Sequence, residues 1–276
     1  MAMMLVNGAP AEFAPVTDRG LAYGDGVFRT LRAVDGRPLH WLRHCAKLSS
    51  DCAALGIPCP LEAVLLAEVQ SVCAGFAHAA VKIMVTRGSG PRGYAPPQPC
   101  VPTRIVMAEP RALAPKNSGG VTLHLCRLRL AHQPALAGIK HLNRLENVLA
   151  RAEWSDPAVA EGLLLDQDGF AIGGTMSNLF IVEADTLVTP DLSRCGVAGV
   201  TRARVIDLAA KARVTCSVDQ LLLQRVIDAD EVFLVNSLIG LWPIARLAER
   251  AWKPGVLTQQ VSEWLQCLES DDAARD

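Results

Sequence analysis

Three stretches of the chain carry side chains in arrangements suited to chemistry. The first is Ala137-Gly-Ile-Lys-His-Leu-Asn-Arg-Leu-Glu-Asn-Val-Leu-Ala-Arg151, in which a single lysine, Lys140, precedes apolar residues at helical spacing. A lysine amine attacks carbonyls, and acts as a base near neutrality, once burial or a neighbouring cation depresses its pKa. The second is Gly196-Val-Ala-Gly-Val-Thr-Arg202. Glycines followed by Thr201 predict a turn into a helix, whose first amides point at an anion. The third is the Gly-rich segment Arg87-Gly-Ser-Gly-Pro-Arg-Gly93. It is not a Walker A loop, because no Gly-Lys-Ser/Thr follows. It places Arg92 in a loop, where a guanidinium can hold a carboxylate through two parallel hydrogen bonds.

The elements that must position these groups follow from periodicity. Leu142, Leu145, Val148, Leu149 and Ala152 recur at steps of three and four, which predicts a helix turning that stripe toward a core. Asn143 and Glu146 predict a capping box at its start, with the backbone of Lys140 pinned just ahead of it. Thr201 is the expected cap of a helix burying Val205, Leu208, Ala209 and Ala212. Upstream, an Asn7-Gly8 turn predicts a hairpin between residues 4–6 and 11–13. A loop over 18–26 leads to a strand over 27–34 and an Asp35-Gly36 turn. Helices are expected over 40–54, burying Leu42, Cys45 and Leu48, and over 61–73, burying Leu61, Val64, Leu65, Val69 and Val72. Strands are expected over 80–86 and 104–108.

Residues 109–120, rich in Pro, Ala and Gly, form the expected linker between domains 1–115 and 116–276. Beyond it, alternation at Val121, Leu123 and Leu125 slips to Leu128 and Leu130, predicting a bulge near Cys126–Arg127. Hairpins are expected across Asp168-Gly169 and between strands 178–183 and 187–189. A strand over 231–235 and a helix over 256–268 complete the pattern. The fold class is mixed α+β.

Composition narrows the function classes. A chain of 276 residues with half its residues hydrophobic can bury a substantial core. The balance of 27 basic against 28 acidic side chains argues against nucleic acid or an anionic membrane as partner. No apolar run reaches membrane-span length, and no signal peptide is recognisable at the start, so a cytoplasmic protein is expected. The nine cysteines are scattered with no CxxC pair, which predicts free thiols and no metal site. His40 and His44, one turn apart, are read as a helix surface rather than as zinc ligands.

Five segments in order carry a family resemblance. They are residues 18–30 (Asp-Arg-Gly-Leu-Ala-Tyr-Gly-Asp-Gly-Val-Phe-Arg-Thr), 86–94, 138–146 around Lys140, 174–180 (Gly-Thr-Met-Ser-Asn-Leu-Phe) and 196–202. Together they resemble the fold-type IV pyridoxal-phosphate enzymes. That family includes 4-amino-4-deoxychorismate lyases and the D-amino acid and branched-chain aminotransferases, and the Lys140 segment is nearer to the lyases. The resemblance implies a two-domain fold with pyridoxal 5′-phosphate between the domains and a homodimer. It implies that Lys140 is the Schiff-base lysine and the base, and that Thr30 is the acid for a departing pyruvate.

By the same resemblance Lys47, Val200, Thr201 and Ser237 hold the phosphate, with Asn236 beside Ser237. Arg92 and Tyr94 face the substrate carboxylate, and Arg144 orients substrate or lowers the pKa of Lys140. The implied reaction is conversion of 4-amino-4-deoxychorismate to 4-aminobenzoate and pyruvate. The alternatives are an aminotransferase of the same fold or a non-catalytic relative.

Two positions depart from the family pattern. Lys47 stands where an arginine is usual, and Gly173 stands where a glutamate pairs with the pyridine nitrogen. Without that carboxylate the ring is a poorer electron sink. Amino transfer depends on the sink at each half-reaction. Loss of pyruvate, driven by aromatisation of the ring, depends on it less.

Overall fold

The structure is a computed structural model that describes residues 3–112 and 119–274, with side chains described as far as residue 267. Contacts divide the chain into two compact units. One comprises Met1–Leu113, Ile139–Asn143 and Glu269–Asp276; the other comprises Ala114–Gly138 and Arg144–Leu268. The fold is mixed α+β, and among the described residues no helix is long and apolar enough to cross a membrane. The boundary expected at 115/116 lies outside the described residues, as does the 113–118 part of the expected linker. Chain order assigned Lys140 to the second domain. Its segment, Ile139–Asn143, instead packs with the first unit, because its backbone hydrogen-bonds there.

The first unit contains β1 (Met3–Val6), β2 (Ala9–Pro10), α1 (Arg19–Tyr23), β3 (Gly26–Val34), β4 (Arg37–Pro38), α2 (Trp41–Ala54), α3 (Glu62–Cys73), β5 (His78–Thr86) and β6 (Thr103–Pro110). Its antiparallel sheet runs β2-β1-β6-β5-β3-β4. One face buries Val27, Leu31, Val81, Ile83 and Val106 against Leu48 and Cys52 of α2 and Leu65, Val69 and Val72 of α3. The Asn7-Gly8 turn has φ of 51° and 85°, the left-handed pair that a two-residue hairpin needs. The return strand is Ala9–Pro10 rather than 11–13, and the expected loop over 18–26 contains α1. Helix α2 also turns differently from expectation. Leu42 is 72% exposed, whereas His44 is 4% exposed and lies on the buried face with Leu48, Asp51 and Cys52. Leu61 and Val64 are likewise outward-facing, and α3 buries Leu65, Val69 and Val72.

The second unit contains β7 (Val121–Leu130), α4 (Leu145–Arg151), β8 (Val159–Asp166), β9 (Ala171–Gly174), β10 (Asn178–Glu183), β11 (Thr186–Pro190), α5 (Val200–Lys211), β12 (Cys216–Asp219), α6 (Leu223–Asp228), β13 (Glu231–Asn236), β14 (Gly240–Leu247) and β15 (Arg250–Ala251). Helix α7 (Val256–Ala274) follows. The sheet order is β12-β11-β10-β13-β14-β7-β8-β9, and β9 pairs back onto β10 through Gly173 opposite Asn178. Six of its strands therefore close into a ring. The predicted bulge is present: β7 shifts register against β8 between Leu125 and Arg129. Glu153 stabilises it by accepting the Arg127 and Leu128 N–H groups at 2.7 and 2.9 Å.

Helix α4 departs most from the sequence reading. It begins after Arg144 without a side-chain cap. Asn143 donates to the Gly24 carbonyl, and Glu146 accepts the Ala131 N–H, so no capping box forms. Leu145, Val148 and Leu149 are exposed by 68%, 60% and 54%, while Ala150 is buried. Thr201 is the second residue of α5 rather than its cap, which is Gly199.

Candidate active site

Strand β3 alternates its side chains across the first sheet, so Val27, Arg29 and Leu31 face the helices while Phe28 and Thr30 face the other way. Residues 140–142 run beside the start of this strand. The Phe28 N–H donates to the Lys140 carbonyl at 2.9 Å, and the Leu142 N–H donates to the Gly26 carbonyl at 2.9 Å. The Lys140 N–H donates to the buried Asp51 carboxylate at 3.1 Å. With its peptide clamped on both sides, Lys140 carries its ammonium to 4.5 Å from the centre of the Phe28 ring. Lys82 lies directly opposite Thr30 on β5 and places its own ammonium 5.2 Å from the same ring. Two amines thus gather at one aromatic wall, on the strand face that also carries Thr30.

The segment 18–25 organises the loop that carries Arg92 and Tyr94. Asp18 accepts the Gly20 N–H at 2.8 Å and the Thr86 hydroxyl at 3.0 Å. Buried Arg19 reaches the Asp25 carboxylate at 2.9 Å and the carbonyls of Gly93 and Tyr94 at 2.8 and 3.1 Å. Arg87 joins Asp25 at 2.8 Å, and the Tyr23 hydroxyl accepts the Gly93 N–H at 3.0 Å. Burial opposes a charge on Asp25, but the two guanidiniums outweigh it and hold the carboxyl below its usual range. Arg92 and Tyr94 themselves are exposed.

In the second unit the turn 196–199 leads into α5. The Gly138 N–H donates to the Gly196 carbonyl at 3.0 Å, and the Gly138 carbonyl accepts the Ala198 N–H at 3.1 Å. Asn178 donates to the Val197 carbonyl at 2.8 Å. A Cβ at Gly199 would lie 2.3 Å from the Asn178 side-chain oxygen, so a larger residue there would push that amide aside. The first amides of α5 have no intrahelical acceptor by construction, and Thr201, 3% exposed, sets its hydroxyl 3.3 Å from that of Ser237. Asn236 fixes Ser237 in place. Its side-chain oxygen accepts the Leu238 and Ile239 N–H groups at 2.8 Å, and its amide donates to the Met176 carbonyl at 3.1 Å. Two hydroxyls at a helix start are the donors that a phosphate needs.

The loop before β10 is held from below by Glu161, which is fully buried. Its carboxylate accepts the Thr175 and Met176 N–H groups at 3.0 and 3.2 Å and the Ser177 hydroxyl at 3.0 Å. Gly173 occupies the ring closure itself, and a Cβ there would stand 2.7 Å from the Ser177 carbonyl oxygen.

A model of class IV aminotransferases matches residues 26–247. The chain belongs to the class IV aminotransferase family. Among solved structures it is similar to a 4-amino-4-deoxychorismate lyase from Pseudomonas aeruginosa, with 47% identity, a TM-score of 0.92, and 96% of this chain and 98% of that one covered. It is 36% identical over 248 residues to the aminodeoxychorismate lyase of Vibrio harveyi, covering 89% of this chain and 92% of the relative. A putative branched-chain-amino-acid aminotransferase of Methanocaldococcus jannaschii is 30% identical over 254 residues.

Within this family frame, the geometry gathers Lys140 and Thr30 in the first unit and Val200, Thr201 and Ser237 in the second. Lys47 pairs with Asp51 one turn along α2. Arg144 is half-buried at the start of α4, 3.5 Å from the Asn147 side-chain oxygen, and burial lowers its pKa. Three groups escaped the sequence reading: Asp51, Arg29 and Lys82. Alternation could have placed Lys82 on the open face. Nothing local marks Asp51, whose partners lie as far as 89 residues away. A further cluster, His132, Asp166 and Cys195, brings potential metal-ligating atoms within 4.8 Å of one another. There His132 is bonded directly to Asp166 at 2.8 Å, and its other ring nitrogen lies 3.1 Å from the Gln167 amide, so hydrogen bonding already accounts for both nitrogens.

Proposed function

We propose that this chain is a pyridoxal-phosphate-dependent lyase that converts 4-amino-4-deoxychorismate to 4-aminobenzoate and pyruvate. The observation that carries the reading is Lys140, clamped through both its peptide groups with its ammonium beside the Phe28 ring, in a chain 47% identical to a lyase of that name. The residues present fit the cofactor. A buried Thr201 hydroxyl faces Ser237 at the start of α5, just after Gly199. Val200, Thr201 and Ser237 hold the phosphate, with Lys47 adding charge, and Lys140 is the tether. When bound, the cofactor withdraws electrons from the carbon that carries the substrate amine.

The chain's own groups supply the rest. With its amine free, Lys140 would act as the base that takes the proton from that carbon. Its site beside an aromatic face keeps bulk water from one side of the amine. Thr30 offers its hydroxyl proton to the departing pyruvate. Arg92, on the loop braced by Arg19, and Lys82, opposite Thr30, pair with the two carboxylates of the substrate. Arg144 orients the ring, and Tyr94 completes the loop's contact with it.

Gly173 favours this reaction over amino transfer, since aromatisation drives the lysis without a strong electron sink. The working form is a cytoplasmic homodimer. The exposed Leu145, Val148 and Leu149 of α4 supply an apolar face for a second copy, and nine free thiols suit a reducing compartment. In sedimentation, Leu149→Asp should convert dimer to monomer.

The deciding assay incubates purified protein with 4-amino-4-deoxychorismate and measures 4-aminobenzoate and pyruvate. Equimolar release of both supports the reading. Amino transfer to a keto acid without pyruvate release overturns it.

A further inference from the structure

Helix α2 and strand β3 bury a charged cluster that the family resemblance does not account for. The Asp51 side chain is 1% exposed, and that of Arg29 is 3% exposed. One Asp51 oxygen pairs with the Lys47 ammonium, one turn earlier on the same helix. The other pairs with the Arg29 guanidinium, reaching in from β3, and accepts the Lys140 N–H at 3.1 Å. A single buried carboxylate therefore joins two cations to the peptide that bears the tethering lysine. The remaining polar contact of that peptide is also fixed, since its carbonyl accepts the Phe28 N–H.

We infer that Asp51 is a positioning residue for Lys140, setting the root of that side chain so that its amine meets the cofactor aldehyde. The inference rests on the lyase reading for the identity of the cofactor. The argument is geometric. A lysine side chain turns about several bonds, so its amine reaches one place reliably only if the backbone below it cannot rotate. A backbone partner, the Phe28 N–H, holds the carbonyl side of Lys140, and the Asp51 carboxylate holds the N–H side. A buried carboxylate is retained against its desolvation cost when its oxygens are matched by charges and donors, as they are here by Arg29, Lys47 and Lys140.

The test compares two cofactor forms on Asp51→Asn and on Arg29→Met/Asp51→Asn. The double variant removes the fully buried cation together with the anion, and the Lys47 side chain that remains is 24% exposed and open to water. Pyridoxal 5′-phosphate bonds covalently to the lysine. Pyridoxamine 5′-phosphate shares the ring and phosphate but has no aldehyde and makes no such bond. The expected result, in both variants, is affinity for pyridoxal 5′-phosphate lowered by roughly tenfold or more relative to affinity for pyridoxamine 5′-phosphate, since any change at the phosphate through Lys47 is common to the two forms. Parallel loss of both forms, or retention of both in the folded double variant, overturns the inference and leaves Asp51 a structural residue. If the wild-type protein captures no pyridoxal 5′-phosphate at all, the lyase reading fails instead.

Discussion

Lys140 and Phe28 are joined twice: the Phe28 N–H donates to the Lys140 carbonyl at 2.9 Å, and the Lys140 ammonium stands 4.5 Å from the centre of the Phe28 ring. Backbone pairing therefore fixes both where the lysine starts and what surface its amine lies on. Phe28 alternates with Arg29 along β3, so the strand that supplies the wall on one face supplies the partner of Asp51 on the other.

Lys82 shares that wall with Lys140 and faces Thr30 across the strand pair. Lys82→Met should raise KM for the dicarboxylate substrate by about tenfold or more while leaving cofactor affinity unchanged. Steady-state kinetics with a parallel cofactor titration checks this. An unchanged KM would remove Lys82 from the site.

The Thr201–Ser237 pair predicts a phosphate-specific effect. Thr201→Val should weaken pyridoxal 5′-phosphate by about tenfold, the loss of one hydrogen bond to a charged group. Binding of pyridoxal, which lacks the phosphate, should be unaffected. Equal loss of both ligands would show that the substitution disturbed the turn rather than the anion site.

Gly173 sits where β9 closes onto β10, with 2.7 Å between an added Cβ and the Ser177 carbonyl oxygen. Gly173→Ala should destabilise by about 1–3 kcal/mol as the backbone gives way. Chemical denaturation measures the loss directly. Gly173→Glu meets the same obstacle and should gain amino-transfer activity while barely changing the lyase rate. An unaltered transaminase rate would count against the idea that this glycine biases the reaction.

Glu153 gives a pH signature. Burial would raise its pKa, but the Arg127 and Leu128 N–H groups and His124 hold it down to about 2, from an ordinary value of 4.5. The folded state therefore releases the proton more readily than the unfolded state. Its stabilising effect is present above pH 4.5 and is lost as pH falls from there toward about 2. Thermal unfolding of Glu153→Gln should show a deficit near neutrality that closes across that interval. A deficit that persists unchanged at low pH would mean that Glu153 acts through packing.

The parts of the site that were legible in the sequence are those built from local signals. Glycines with Thr201 announce a turn into a helix, Asn7-Gly8 announces a hairpin, and the phase slip after Leu125 announces the bulge that Glu153 secures. What was not legible depends on partners distant in sequence. The apolar stripe of α4 reads as core-facing, yet Leu145, Val148 and Leu149 point outward, because periodicity shows a face without showing what covers it. His44 reads as surface and is buried. Asn143 reads as a helix cap, but the Gly24 carbonyl takes its amide. Asp51 carries no motif, and its significance arises only when β3 and residues 139–143 are brought against α2.

The central claim is tested most directly by reducing the protein with borohydride in the presence of pyridoxal 5′-phosphate and mapping the modified residue by mass spectrometry. The account predicts a single phosphopyridoxyl adduct on Lys140, lost in Lys140→Ala. An adduct on Lys82 or Lys47, or none on the folded protein, would contradict it.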